Sequence, residues 1–368
     1  MRWYSVINFC SKMVKKIRAS VPAKVILFGE HFVVYGKRAL AAAINRRLVV
    51  EASSRERSGY HVKIASIPTF GLEMDLVTGE EKARPYKDYD AAANAIAYVR
   101  ESIRYLEEKY GIGEGEGVEI EIKSEIPLSA GLGSSAATCV ATIAALKAYF
   151  GVNGDLDVIR EDANRVERRV QGAASPIDTA ISTYGGYVLV KEGEVKRLHL
   201  AELNLIVGCI GCIPLSMGMA TKKFSEMGLK TKKIVEQVKE RKEIFNGIYD
   251  AIFDVSDAIT AQAVTAIEES EFVKLGALMN INHGLLDAIG VVPRRLSELV
   301  KLSQELGALG AKVTGAGGLD EMGGVGSAVV LPGESGERLK GAMEIAGALV
   351  MDVKTGREGL KIKEVTGF

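Results

Sequence analysis

Apolar residues along this chain recur in two rhythms, one of strands and one of helices. An apolar run at 23–28 and a second at 47–53 predict two early strands. Over 85–106, Ala91, Ala95, Tyr98, Ile103 and Leu106 return at helical spacing and predict a helix. The stretch GIGEGEG at 111–117 is a turn, and its two glutamates would repel a phosphate, so it reads as a loop. Over 118–126, Val118, Ile120 and Ile122 alternate with Glu119, Glu121 and Lys123, the pattern of a half-buried strand. Small residues over 134–150 predict a helix closed by Gly151. A further helix is predicted at 156–170 and a strand at 185–191. Near residue 195 the character changes. A strand at 203–213 precedes long charged helices between 221 and 306, a glycine-rich loop at 315–326 and a strand at 327–331. Strand runs mix with helix runs without strict alternation, which predicts an α+β fold. The change of character sets a soft boundary at 193–202, giving an extension at 1–20, a first domain at 21–197 and a second at 198–368.

Composition narrows the function. The 368 residues are 47% hydrophobic and 26% charged, as in globular proteins. The 47 basic and 47 acidic side chains cancel, which argues against a nucleic-acid or anionic-membrane partner. No uncharged apolar run of about 18 residues occurs, so no membrane-spanning helix is expected. At the N-terminus an apolar patch at 3–10 precedes Lys12, Lys15, Lys16 and Arg18, the reverse of a signal peptide. It reads as an extension, with Met13 as an alternative start. Cys209 and Cys212 form a lone C-x-x-C within LNLIVGCIGCIPL, which reads as a buried strand. Residues three apart on a strand face opposite ways, so neither a metal site nor a disulfide is expected, and a reducing cytoplasm follows.

Four segments carry candidate chemistry. PLSAGLGSSAA at 127–137 runs from a strand through small residues into a helix. Unpaired N–H groups and the positive end of the helix dipole make such a loop an anion cradle. It is not a Walker A motif, which needs a G-K-[ST] ending. VPAKVILFGEHFVVYG at 21–36 brackets an apolar strand with Lys24 and the pair Glu30–His31. ERRVQGAASPIDTAISTYGG at 167–186 places Asp178 among small neighbours, eleven residues after Glu167. KVTGAGGLDEMGGVGSAVVL at 312–331 is a long glycine-rich loop between strands, suited to folding over a ligand.

Together these segments resemble the GHMP kinases, with all three family motifs in order across roughly 21–331. The resemblance implies a first domain like ribosomal protein S5 domain 2, a ferredoxin-like second domain and a site between them. KVILFGEHFVVYG, RALAAAINRR, SPIDTAISTYGG and LMNINHGLLDAIGV are most similar to the mevalonate-phosphorylating branch. Galactokinases instead carry an Arg and a downstream Thr-Asp, absent here. The implied activity is ATP-dependent phosphorylation of mevalonate with Mg²⁺. Carried over by motif, Asp178 takes or orients the substrate hydroxyl proton, and Lys24 stabilises it and the transferring phosphoryl. Ser135 and Glu167 hold Mg²⁺. Ser129, Ala130, Gly131, Leu132, Gly133, Ser134, Ser135 and Ala136 cradle the nucleotide phosphates. Glu30, His31, Thr221, Gly315, Ala316 and Gly317 line the substrate pocket, with His31 placed to meet the mevalonate carboxylate.

The chain departs from the family pattern in three places. Leu128–Ser129 replaces a Pro- or Gly-containing pair, and GAASPID stands for GNPSGID. LDEMGGV at 319–325 stands where one glycine is usual, adding Asp320 and Glu321 near the expected phosphate path. Another small alcohol such as phosphomevalonate, or a non-catalytic binding role, are the alternatives, but all four implied catalytic and metal positions are filled. A cytoplasmic enzyme is expected, with a homodimer as a possible assembly.

Overall fold

The computed structural model describes residues 15–64, 72–74, 81–83, 89–113, 115–127, 130–172, 175–212 and 227–365. The first domain is built on β1 (Lys16–Phe28), β2 (Ala39–Ser54) and β3 (Gly59–Ile64). A small hairpin of β4 (Leu72–Met74) and β5 (Glu81–Ala83) follows, then helix α1 (Tyr89–Tyr110) and β6 (Gly117–Ser124). Helices α2 (Ser134–Phe150), α3 (Leu156–Gln171) and α4 (Pro176–Tyr184) come next, then β7 (Tyr187–Lys191) and β8 (Glu194–Leu198). β2 is long enough to serve two partners on one edge. Its first half pairs with β7 and its second half with β6, while β1 runs along the other edge. α2 is apolar around most of its circumference because it is covered on several sides, by β1, β2, α1, α3 and α4.

The second domain begins with β9 (Asn204–Ile210) and continues through α5 (Met227–Ile244), α6 (Asn246–Glu268), α7 (Phe272–Ala288) and α8 (Arg294–Glu305). It closes with β10 (Gly310–Thr314), β11 (Gly326–Leu331), α9 (Gly336–Ile345), β12 (Ala348–Lys354) and β13 (Lys361–Glu364). Four of its strands form an antiparallel sheet in the order β10-β11-β9-β12. Side chains alternate across it. Ile206, Ala328 and Val330 pack with α8 and α9, whereas Leu205, Val207 and Val329 join the apolar cluster that also fills the first domain. One core thus runs through both domains.

The chain changes sheets between Leu198 and Asn204, inside or beside the expected boundary. Two ends differ from the expected division. β1 starts at Lys16, so 16–20 belong to the first sheet rather than to an extension. β13 leaves the second domain and pairs with β1, Ile17 opposite Glu364 and Ser20 opposite Lys361.

Candidate active site

Lys24 is the hinge of the arrangement. It sits on β1, its backbone N–H donates to Leu132 O at 3.1 Å, and only 3% of its side chain is exposed. The side chain lies against Gly133, where an added Cβ would come within 2.8 Å of its Cγ. Gly133 also has φ +81° at the head of α2, so glycine is required twice over. The loop from Ala130 to Ala136 therefore folds onto β1. The side chains of Ala130, Leu132 and Ala136 are buried, so these residues offer a phosphate their backbone alone. Ser134 and Ser135 stand in the first turn of α2, which no side chain caps. Ser129 and Thr221 lie outside the described residues.

Asp178 enters from α4. Ser175, not Asp178, is the N-cap, accepting from Ile177 N, and Pro176 starts the helix. That frees the Asp178 carboxylate, which pairs with Lys24 Nζ at 3.1 Å. Glu167 approaches from α3 and is 4% exposed. Burial first, and Asp178 second, push its carboxyl well above the ordinary carboxylate range; Lys24 and Gln171 offset this only in part. Two acids thus share one lysine. Glu167 Oε2 is buried without a hydrogen-bond partner, while Asp178 Oδ1 faces only Lys24. The unpartnered Glu167 oxygen fits a divalent cation, which would supply the missing positive charge. Among the described residues no group of three or more His, Cys, Asp or Glu forms a self-sufficient metal cluster. Mg²⁺ needs none, since it takes few carboxylates and keeps waters or phosphates. Ser135 shares a hydrogen bond with the Tyr98 hydroxyl, which also accepts from Gln171 Nε2 at 2.8 Å; Gln171 in turn reaches Glu167 at 3.4 Å. Tyr98 counts in the sequence only as one apolar position of α1.

The turn after β1 supplies the other side. Gly29 has φ +87°, and a Cβ there would lie 2.1 Å from Arg38 O. Glu30 and His31 follow, and His31 itself holds φ 64°, a costly conformation for a non-glycine residue. His31 Nε2 donates to Ala316 O at 3.0 Å, and burial holds the ring down at about 4 against that bond. A neutral His31 with Nε2–H engaged presents Nδ1 as an acceptor. That suits a substrate hydroxyl better than the carboxylate expected from sequence.

Three contacts join this turn to the third glycine motif. Besides His31–Ala316, the Thr314 hydroxyl donates to Ile26 O at 2.8 Å and accepts from Ile26 N at 3.0 Å. Lys312 Nζ pairs with Glu30 Oε1. Gly315 faces Gly131, where a Cβ on Gly315 would lie 3.0 Å from Gly131 O, so the two glycine loops meet. Ser327 Oγ donates to Ala130 O at 2.6 Å. Lys312, Thr314 and Ser327 were not singled out by sequence; each lies in a strand pattern that reads as core.

The inserted segment is turned away from this junction. Leu319 is buried beside Phe32 and Val291. Asp320 Oδ1 accepts from Arg294 N at 2.9 Å, capping α8, and Glu321 pairs with Lys233 of α5 at 3.0 Å. Both anions feared near the phosphates thus have other partners.

One expectation fails. Cys209 and Cys212 do not face opposite ways but come together, with Cα atoms 5.7 Å apart, a spacing that a disulfide can span. β9 ends at Ile210, and Gly211, at φ +70°, turns the chain so that strand alternation no longer governs Cys212. The cysteines therefore give no argument for a reducing compartment. Among the described residues no helix is long and apolar enough to cross a membrane.

Comparison with known proteins identifies the family. The model for the GHMP kinases N-terminal domain matches residues 97–186, and that for the GHMP kinases C-terminal region matches 263–319. The chain is 40% identical to a mevalonate kinase of Pyrococcus horikoshii, over 96% of this chain and 100% of that one. It is 39% identical to a mevalonate kinase of Thermococcus sibiricus, over 95% and 99%. The solved structure of Leishmania major mevalonate kinase in complex with R-mevalonate superposes with a TM-score of 0.70 at 24% identity, covering 92% of this chain and 96% of that one.

Proposed function

The chain belongs to the GHMP kinase family, and from that premise we infer that it is a mevalonate kinase, moving the γ-phosphoryl group of ATP to the primary hydroxyl of mevalonate. The observation that carries the chemistry is the Lys24–Asp178 pair, 3.1 Å apart at the mouth of the glycine loop. Phosphoryl transfer needs positioning and charge neutralisation more than covalent help. Asp178 takes or orients the proton of the attacking hydroxyl. Lys24 pairs with Asp178 and stabilises charge on the transferring group. The backbone N–H groups from Ala130 to Ala136 receive the nucleotide phosphates, aided by the uncapped end of α2. Glu167 and Ser135 would hold Mg²⁺, which would supply positive charge against the phosphates. Glu30, His31 and the backbone of Gly315 to Gly317 line the alcohol side, with His31 Nδ1 accepting from a substrate hydroxyl. The enzyme is placed in the cytoplasm, where ATP is supplied. A homodimer is the proposed assembly, supported by the exposed apolar Ile244, Phe245 and Ile248 and tested by sedimentation velocity.

ADP release measured in parallel with mevalonate, phosphomevalonate, galactose and homoserine tests the reading. Turnover is expected with mevalonate; its absence there sinks the assignment.

A further inference from the structure

Lys312 lies on β10 and none of its side chain is exposed. A lysine fully withdrawn from water is costly unless its charge is matched. Its Nζ meets Glu30 Oε1 and donates to Val313 O at 2.7 Å. Glu30, 1% exposed, comes from the first domain, so the pair spans the two domains. Burial pushes the Glu30 carboxyl up and the Lys312 ammonium down, and the contact between the two opposes both shifts, so each charge depends on the other. Glu30 Oε2 remains buried with no hydrogen-bond partner. One oxygen is held by the lysine, and the other is left to accept.

We propose that Lys312 is a positioning residue for the alcohol substrate. It keeps Glu30 anionic and fixed, so that Oε2 accepts a hydrogen bond from a substrate hydroxyl. It acts through Glu30 and does not touch the nucleotide. This rests on reading the cleft as a mevalonate kinase site. A purely structural lysine would behave differently: its loss would loosen the β10–β1 seam as a whole and disturb both substrates alike.

The experiment is steady-state kinetics on wild type, Lys312→Met, Glu30→Gln and the double variant, with mevalonate and ATP varied separately and folding followed by circular dichroism. Lys312→Met should raise the mevalonate KM by roughly tenfold or more, since it strands a buried carboxylate. The ATP KM should change by less than about threefold. The double variant should be no worse than Glu30→Gln, because both act through one group. If Lys312→Met does not fold, the comparison of the double variant with Glu30→Gln carries the test. A normal mevalonate KM in Lys312→Met, equal rises in both KM values, or additive losses in the double variant overturn the proposal. Wild-type enzyme inactive on mevalonate would instead strike the proposed function itself.

Discussion

Asp178 and Glu51 show two opposite uses of a carboxylate held by basic neighbours. Asp178 is half-buried and faces Lys24. Asp178→Asn keeps the shape but removes the base, so kcat should fall by roughly 10²–10³ or more while ATP binding persists. Rapid-quench kinetics with parallel nucleotide titration would read this, and wild-type turnover would reject the base. Glu51, on β2, is 3% exposed and meets Lys16 at 2.7 Å, Arg18 and Lys123. Burial pushes its carboxyl up, but the hydrogen bonds from Lys16 and Arg18 and the charge of Lys123 outweigh this and hold it at about 2. A depressed folded value stabilises the protein above the ordinary carboxylate value of 4.5, and the contribution is lost as pH falls toward about 2. Glu51→Gln should cost about 1–3 kcal/mol at neutral pH. Its Tm deficit against wild type should shrink as pH falls through that window. A deficit independent of pH would mean that packing, not charge, is responsible.

Among elements, the most legible were those with a single rhythm. Alternation in β6 and the glycine stop after α2 appear in the structure close to where the pattern puts them. The missed features need partners distant in sequence. Lys312 and Thr314 lie in a strand, and only the fold brings Glu30 and Ile26 to them. β2 was read only in its second half, because its first half, ALAAAINRR, is too alanine-rich to signal a strand. The C-x-x-C was misread because strand periodicity was carried past Ile210, where Gly211 ends it. The inserted segment yields its own expectation. Asp320→Ala with Glu321→Ala removes a helix cap and an exposed ion pair, so stability should drop by about 1–2 kcal/mol. The apparent KM for ATP should stay within about twofold, because both anions are engaged by partners on α8 and α5. A severalfold fall in that KM would show instead that they repel phosphate.

At the scale of the molecule, sequence conveyed two domains but not how they are tied. Charge balance, glycine motifs and the change near residue 195 are local signals, whereas the tie is a strand exchange. β13, with the sequence KIKE, leaves its own domain to cover the edge of β1. Its side chains are exposed and all but Ile362 are charged, which is typical of a protected sheet edge. A chain ending at residue 360 would lose four backbone pairings, on the order of 2–4 kcal/mol, and expose an apolar strand edge. Lower Tm and a rise in static light scattering should follow. A truncated protein as stable and as monodisperse as the parent would show that β13 is ornamental to the sheet.

That same strand constrains biosynthesis. On a ribosome β1 emerges early, yet the neighbour that seals its outer edge is the last of the described strands to be translated. The amino-terminal half can collapse around its apolar core while it is still tethered, but it carries an open hydrogen-bonding edge until β13 is made. The nascent chain is therefore most vulnerable to edge-to-edge association before β13 emerges, and the arrival of β13 is the event that completes the first domain.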